Sequence, residues 1–506
     1  MKRGILGIPK DPKNQTLFSF DQRFGDDWPS SDSDDSDYKP GSPSDADDIT
    51  LTCKAKCREG KKADNGSADS AAHCADVSSC HDAVHGDLWG KCIPHLVLLK
   101  IFYYVVASSG AVPFLCRVRR VCRLWHQCAD DSTLWQSVDL SYGWIKANDE
   151  TMQFLCQTRF SKKLTCINLS NWKSLTVNGL KLLVDTCPQL KSVNLSYCKV
   201  NSPGVLYMIN KCSQLAEIDL TAYGSAAVVS PKTVVHIVNT CSGNLRSLNL
   251  SRNPPKGYNA VLKALATCCP NLECLDLSRY PDSSIPLSFN IEQLQHGCPK
   301  LCILRLVNAN IVPSHVSVHD RSASESPGFP ELKELSLRIT TSTSVVSVAG
   351  YNGILHRLVK KSEKLKLLDL HGCSQVTSVD LLRVPATDLA ELYVSGCSVV
   401  KDEEMEILLA KWQHSLVTLD VSWNVHTETV LNMAMTRLAS SSVTSKLEVL
   451  DLRGSQISLS TVQTLLKGCP LLHNLNLSSC RCLPRGMKRE YFNESLDNLR
   501  KNIDSA

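Results

Sequence analysis

The sequence predicts an α/β solenoid, a curved stack of short parallel strands backed by helices, preceded by a small all-α module and a disordered N-terminal tail. Three observations predict it. A short leucine motif recurs twelve times between residues 164 and 477. A compact, unusually apolar helical stretch lies just before the repeats, and the first 86 residues are poor in large aliphatics. A chain of 506 residues exceeds what one compact core usually holds, so a long solenoid or several folding units is the natural architecture. Its 43% hydrophobic and 21% charged residues suit a soluble globular protein.

The tail comes first in the chain. Asp26 to Asp48 holds nine Asp and one Lys, a net −8 that leaves +13 for the rest. The run Ser30 to Asp37 cannot bury enough apolar area to offset its ordering entropy, so residues 1–86 are expected to be disordered and dispensable for folding. Ser31, Ser42 and Ser44 each precede an Asp by three residues, a pattern acidophilic kinases favour; a plain solubilising tail is an equal reading. Cys53, Cys57, His73, Cys74, Cys80, His81 and His85 are metal-ligating types, but their spacing is irregular and lacks a Cys-x-x-Cys pair. No metal and no cofactor is assigned. The opening Met1–Lys10 lacks the apolar core of a signal peptide, so the 24 cysteines read as thiols of a cytoplasmic or nuclear protein. The Lys and Arg are interleaved with acids rather than gathered in a stripe, which argues against nucleic acid as a partner.

The helical module is expected at residues 87–136. Ile93 to Leu115 is strongly apolar but broken by Pro94, His95, Lys100, Gly110 and Pro113, so it is no membrane span. Pro94 suits a first helical turn. Val118, Val121, Cys122 and Trp125 fall at i, i+3, i+4 and i+7 and are expected to share one helical face. Three short helices with this much apolar surface need a partner. On patterning alone the module serves equally as an N-terminal cap for the solenoid or as a docking unit.

The repeats are expected over 137–487. The unit is Leu-x-x-Leu-x-Leu, from Leu164/Ile167/Leu169 to Leu472/Leu475/Leu477, and its last apolar position advances by 24 to 33 residues. Trp135/Val138/Leu140 is a degenerate first copy. The period is that of a leucine-rich repeat. The last two apolar positions alternate, so one strand face is buried in each unit, and stacking joins these faces into a shared core. Cys187-Pro188, Cys269-Pro270, Cys298-Pro299 and Cys469-Pro470 mark helix ends, because proline stops the helix and a small cysteine fills the core beside it. Three residues after a strand come Cys198, Cys373, Cys397 and Cys480, placed to pin the turn. Residues 488–506 are expected to be a C-terminal tail.

The module resembles an F-box. Ile93-Pro94, Leu98-Leu99-x-Ile101-Phe102, Val121-Cys122-Arg123-x-Trp125 and Leu134-Trp135 carry the resemblance. Leu96 departs from it, since the family usually has an acid two residues after the proline. F-box followed by Cys-type repeats is similar to the F-box/leucine-rich-repeat family over roughly 88–487. The resemblance implies a horseshoe of repeats and a non-catalytic substrate-recognition subunit of an SCF-type cullin-RING ubiquitin ligase. The F-box would dock a Skp-type adaptor, and through it a cullin-RING scaffold, while the repeats bind a protein substrate. The expected adaptor face is Pro94, Leu98, Leu99, Ile101, Phe102, Val118, Val121, Cys122, Trp125 and Trp135. The alternative is a repeat scaffold whose module engages no ligase.

No P-loop, nucleophile elbow or His-Glu-x-x-His motif occurs. Cys482 lies between Arg481 and Arg485, which could lower its pKa, but a turn cysteine is the better reading. For substrate, the residue between the last two apolar positions must face the concave side. Nine of the twelve are Asp or Asn, a polar ladder of low information. Arg305, Ser336 and Tyr393 break it, and the residues just after the strands change from Ser to Arg338, His371 and, later, Arg453. These six are the candidate substrate face, beside a long Ser/Pro/His loop at 311–330; inconsequential repeat irregularity is an equal reading.

Overall fold

The computed structural model describes residues 93–143, 145–223, 229–253, 256–279, 286–313, 325–340, 354–397, 404–423, 428–440 and 445–503. The expected tail at 1–86, its Cys/His group and its phosphorylation candidates lie outside the described residues.

Three helices open the described chain: α1 (His95–Ser109), α2 (Phe114–Val118) and α3 (Arg123–Ala129). Pro94 occupies the N-cap of α1, where its missing N–H costs nothing. Gly110 ends the helix at φ 84, a left-handed value that favours glycine, and its N–H returns to Val106 O at 2.9 Å. The single helical face expected for Val118 to Trp125 is not formed. The chain leaves the helix after Val118, and Cys122 is extended (φ −159, ψ 173) before α3 starts. Val118 is consequently buried and Val121 is 60% exposed.

The core of this module centres on Phe102, whose ring meets Phe114 and Trp125 edge-on at 5.3 Å each. Leu98, Leu115 and Val118 close around it. Trp135 is buried, and its Nε1 donates to Ala129 O at 2.8 Å. Asp130 ties the module to the repeats. It accepts from Arg119 at 2.9 and 3.1 Å, and from Arg159, which caps the first repeat helix, at 3.3 Å.

A fourteen-stranded sheet follows in strict chain order, parallel throughout except for its last strand. Its members are β1 (Ser137–Asp139), β2 (Cys166–Asn168), β3 (Ser192–Asn194), β4 (Glu217–Asp219), β5 (Ser247–Asn249) and β6 (Cys274–Asp276). After β7 (Pro286–Phe289) come β8 (Ile303–Arg305), and, after β9 (Asn310–Pro313), β10 (Glu334–Ser336) and β11 (Leu367–Asp369). The sheet ends with β12 (Glu391–Tyr393), β13 (Thr418–Asp420), β14 (Val449–Asp451), β15 (Asn474–Asn476) and β16 (Glu490–Phe492). All twelve expected copies supply a strand, and the degenerate first copy supplies β1. The register aligns Val138, Ile167, Val193 and their successors into one column at 0–1% exposure. Each such side chain stabilises the stack by about 1.5–3 kcal/mol, and only the stack makes that burial available.

Helices back the sheet. They run from α4 (Asp149–Thr158), α5 (Val177–Thr186), α6 (Ser202–Lys211), α7 (Pro231–Cys241) and α8 (Tyr258–Cys268) to α9 (Ile291–Gly297). The shorter α10 (Ile354–Leu358) and α11 (Ser378–Leu382) precede α12 (Met405–Trp412), α13 (Glu428–Ala439) and α14 (Leu459–Gly468). Asn148, Thr176, Asn201, Ser230, Asn290 and Ser458 cap their N-termini, each side chain accepting a first-turn N–H, a contribution of about 1 kcal/mol apiece. Cys187, Cys269, Cys298 and Cys469 stand at the C-caps, as the Cys-Pro junctions predict.

Two expectations are corrected. The loop expected at 311–330 begins with a strand: β9 pairs in parallel with β7, from Pro286↔Asn310 to Phe289↔Pro313, outside the main sheet. Residues 314–324 of that loop lie outside the described residues. The expected C-terminal tail is instead folded. β16 turns back antiparallel on β15, and α15 (Glu494–Ile503) packs behind it. Tyr491 and Leu496 are buried there, and Arg500 Nη2 donates to Cys469 O and Leu472 O at 3.1 and 2.8 Å. An open sheet edge left by the last repeat is thereby covered.

Candidate functional site

Two surfaces carry unusual chemistry. The first is α1. Its buried residues, Leu98 and Phe102, lie one turn apart and form a narrow stripe. The rest of the helix is nearly as apolar, so much of it faces outward: Leu96 is 76% exposed, Ile101 44% and Tyr104 61%. Val97, Ile101 and Tyr104 follow at i, i+4 and i+7 and share one side. An apolar helix with one side in the core and another uncovered is the pattern of a surface that another protein covers.

This arrangement divides the expected adaptor face. Leu98, Phe102, Val118 and Trp135 are inside the module, at 1%, 1%, 8% and 2% exposure, and form its core. Pro94, Ile101 and Val121 are exposed, while Leu99, Cys122 and Trp125 are half-buried. Leu96, Val97 and Tyr104 join the exposed set and were not expected. The Leu96 that departs from the family pattern is the most exposed of them. A helix apolar on all sides gives no periodic signal of which side faces in, and that is why the sequence could not separate the two groups.

The second surface is the open face of the sheet, opposite the helices. The polar ladder lies along it, but its side chains fold back onto their own turns. Asn168, Asn194, Asp219, Asn249 and Asp276 each accept from the N–H two residues on, at 2.8–3.0 Å. Asp369, Asp420, Asp451 and Asn476 do the same. Lateral bonds link neighbours, as from Asn249 Nδ2 to Asp219 Oδ2 at 3.1 Å. Most of the ladder is buried, and burial pushes the Asp219 carboxyl up to about 6, against the pull of the Thr221 and Asn249 hydrogen bonds. Burial also raises Asp276, Asp369 and Asp451. The ladder is structural.

The turn after each strand is pinned from the next column. Cys198 Sγ donates to Leu169 O at 3.0 Å, Cys373 to Leu337 O at 3.3 Å, Cys397 to Leu370 O at 3.0 Å and Cys480 to Leu452 O at 3.2 Å. Asn253 does this more strongly, its Nδ2 reaching Leu220 O at 2.7 Å and Leu250 O at 3.2 Å.

The six candidate substrate residues all lie on this open face, between β8 and β14. Their states differ. Arg305 forms an ion pair with Glu334, Ser336 Oγ donates to Asp369 at 2.9 Å, and the Tyr393 hydroxyl donates to Glu391 at 2.8 Å. Arg453 Nη2 holds Asp451 of its own strand at 3.0 Å. His371 sits between Arg338 and Arg453; burial and both guanidiniums hold it below its ordinary pKa, against Asp369 and Asp451. Trp423 at the rim of this patch was not anticipated. It is 52% exposed at φ 57, and the available signal was a Trp where the preceding and following turns carry glycine, at Gly396 and Gly454. Among the described residues no cluster of His, Cys, Asp and Glu could hold a metal ion, and no helix is long and apolar enough to cross a membrane.

Comparison with known proteins bears on the first surface. Residues 91–141 match the F-box-like family. The chain is 25% identical over 155 residues to F-box protein SKIP19 of Arabidopsis thaliana, covering 30% of this chain and 49% of that protein. It is 24% identical over 179 residues to the putative F-box/LRR-repeat protein 23 of Arabidopsis thaliana, covering 33% and 38%. The chain thus spans less than half the length of these curated relatives. Among solved structures, a chain of the yeast Rad7 and Elc1 complex aligns at TM-score 0.43 and 14% identity, over 77% of this chain and 83% of that one. A chain of the mouse RP105/MD-1 complex aligns at TM-score 0.34 and 17% identity, over 68% and 46%.

Proposed function

We propose that this chain, an F-box-like segment running into a leucine-rich-repeat solenoid, is the non-catalytic substrate receptor of an SCF-type cullin-RING ubiquitin ligase. The F-box docks a Skp-type adaptor and through it the cullin-RING scaffold. The open face of the repeats holds the protein to be ubiquitinated, in the cytoplasm or nucleus. The observation that carries this reading is the uncovered apolar side of α1 inside a segment that matches the F-box-like family. The receptor contributes proximity and orientation of the substrate lysine, with the ubiquitin chemistry left to other subunits. Val112-Pro113-Phe114-Leu115, Ser284-Ile285-Pro286-Leu287 and Arg481-Cys482-Leu483-Pro484-Arg485-Gly486 further resemble F-box/leucine-rich-repeat protein six, and we read the chain as a relative of it.

The adaptor face on this reading is Pro94, Leu96, Val97, Leu99, Ile101, Tyr104, Val121, Cys122 and Trp125. Replacing Val97 and Ile101 by Asp places two charges on that face without touching the core. Co-purification should then lose the Skp-type adaptor, while the melting temperature stays that of the wild type. Adaptor retained at wild-type yield would leave a repeat scaffold as the better description.

A further inference from the structure

We propose that the open face between β10 and β14 receives an acidic segment of another protein. Arg338, His371 and Arg453 take one carboxylate or phosphoryl oxyanion, and the Trp423 ring covers the apolar residue beside it. The inference rests on the receptor reading above and names the chemistry of its substrate.

Of the six residues that break the polar pattern, Arg305, Ser336 and Tyr393 are engaged within the fold by Glu334, Asp369 and Glu391. Arg338 is not. Its Nε is buried and meets no hydrogen-bond acceptor. Arg453 gives one Nη to Asp451, and its Nε is likewise buried without an acceptor. An oxyanion arriving from outside would meet the exposed part of Arg453, whose side chain is 43% exposed, and the planar fork of Arg suits a carboxylate or phosphoryl group.

The spacing makes a place for it. Arg338 and His371 follow directly paired strands, since Ser336 registers with Asp369. Arg453 stands three strands beyond His371, about 14 Å along a flat sheet. The two positions between them are Ser395 and Ser422, 1% and 0% exposed, with their hydroxyls 3.0 Å apart. Long cationic side chains on either side of two small ones make a shallow floor with positive walls. That His371 feels both Arg338 and Arg453 fits side chains that lean over this floor.

Trp423 adds a second, independent mark. Its N–H donates to Arg453 O at 2.6 Å, so ring and guanidinium belong to adjacent strands. The ring lies against Gly454, where an added Cβ would come within 2.4 Å of its Cε3. The left-handed turn is common to the repeats, as at Asn171, Tyr197 and Arg252; what sets Trp423 apart is a half-exposed indole seated on a glycine and next to an Arg. Trp and Arg are the residue types that dominate binding hot spots. Asp369, Asp420 and Asp451 flank the same floor and would repel a continuous phosphate backbone, so a single oxyanion fits and nucleic acid does not.

The test uses the full chain with ¹³C-labelled histidine, the His371 signal being assigned from His371→Gln. The probes are the peptides Gly-Ala-Glu-Leu-Gly-Ala, its phosphoserine counterpart and its Gln counterpart. The acidic peptides should move the His371 signal saturably and the Gln peptide should not. The ratio of the two acidic affinities tells carboxylate from phosphoryl. Arg338→Gln with Arg453→Gln should weaken binding by about tenfold or more. Trp423→Ala should weaken the Leu-bearing peptides by about threefold and leave Gly-for-Leu versions unchanged. An absent shift, equal affinity in the double variant, or tighter binding of a single-stranded oligonucleotide overturns the proposal. So does a shift seen only after Asp32, Asp34, Asp35 and Asp37 are changed to Ser, which would make this chain's own acidic stretch the occupant. Adaptor capture on the same preparations separates the two ideas: if it persists while the peptides fail, the receptor reading stands and the patch falls.

Discussion

At the scale of single residues, the turn pins and the ladder carry sharply different costs. Asn253 donates to two strand-end carbonyls, Leu220 O and Leu250 O, whereas its Cys equivalents reach only the carbonyl of the preceding strand, through weaker sulfur contacts. Asn253→Ala should therefore destabilise the chain by about 1–3 kcal/mol. Asn253→Cys, the residue other repeats use, should recover part of that loss; urea unfolding of the two variants checks the order. Asp219 gives a pH signature. Its carboxyl is raised to about 6 in the fold, from about 3.9 when unfolded. The folded state then binds the proton more tightly, so stability is greatest below the unfolded value and is lost as pH rises through the folded one. Melting temperature should rise as pH drops from about 7 toward about 5, and Asp219→Asn should flatten that rise. A rise of unchanged size in the variant would assign it to other carboxylates.

At the scale of elements, the strands and caps were legible and the faces of α1 were not. Leu-x-x-Leu-x-Leu specifies a strand because period two has a single solution, and the Cys-Pro junctions announce the helix ends at Cys187, Cys269, Cys298 and Cys469. α1 has apolar residues on every side, so Leu98 and Ile101 look alike in sequence yet sit at 1% and 44% exposure. The break at Arg119–Cys122 was hidden for a related reason: helical spacing persists across a turn that only the packing of Val118 reveals. Trp423 was visible as a letter, but its meaning depends on Gly454, one strand away. The division of α1 has a measurable consequence. Leu98→Ala removes a core side chain and should cost about 2–5 kcal/mol. It should lower the melting temperature and adaptor capture together, whereas the Val97/Ile101 variant lowers capture alone. A stable Leu98→Ala chain that fails only in capture would return Leu98 to the docking face.

At the scale of the whole array, the ends matter more than any single repeat. Trp135 and the module's helices precede β1, and Asp130 anchors them to Arg159. β16 and α15 occupy the other edge. Nothing in the leucine pattern foretold this closure, because Glu490-Tyr491-Phe492 carries no Leu-x-x-Leu-x-Leu and pairs in the opposite sense. A chain ending at Met487 should expose the β15 edge and the faces that Tyr491 and Leu496 cover. Light scattering should show it aggregating at concentrations where the full chain stays clear.

The reversed strand also sets a timetable. The array is made from its N-terminal end, and each strand can pair with the one before it as soon as it is synthesised. Residues 490–503 are made on the order of tens of seconds after β2 at ordinary rates of synthesis. Until then every nascent chain displays a free parallel edge, the template on which a neighbouring ribosome's product could pair. The antiparallel strand takes up that edge, and α15 packs against it. Interruption of translation between β15 and β16 would thus leave the parallel edge free to pair with another copy of this chain.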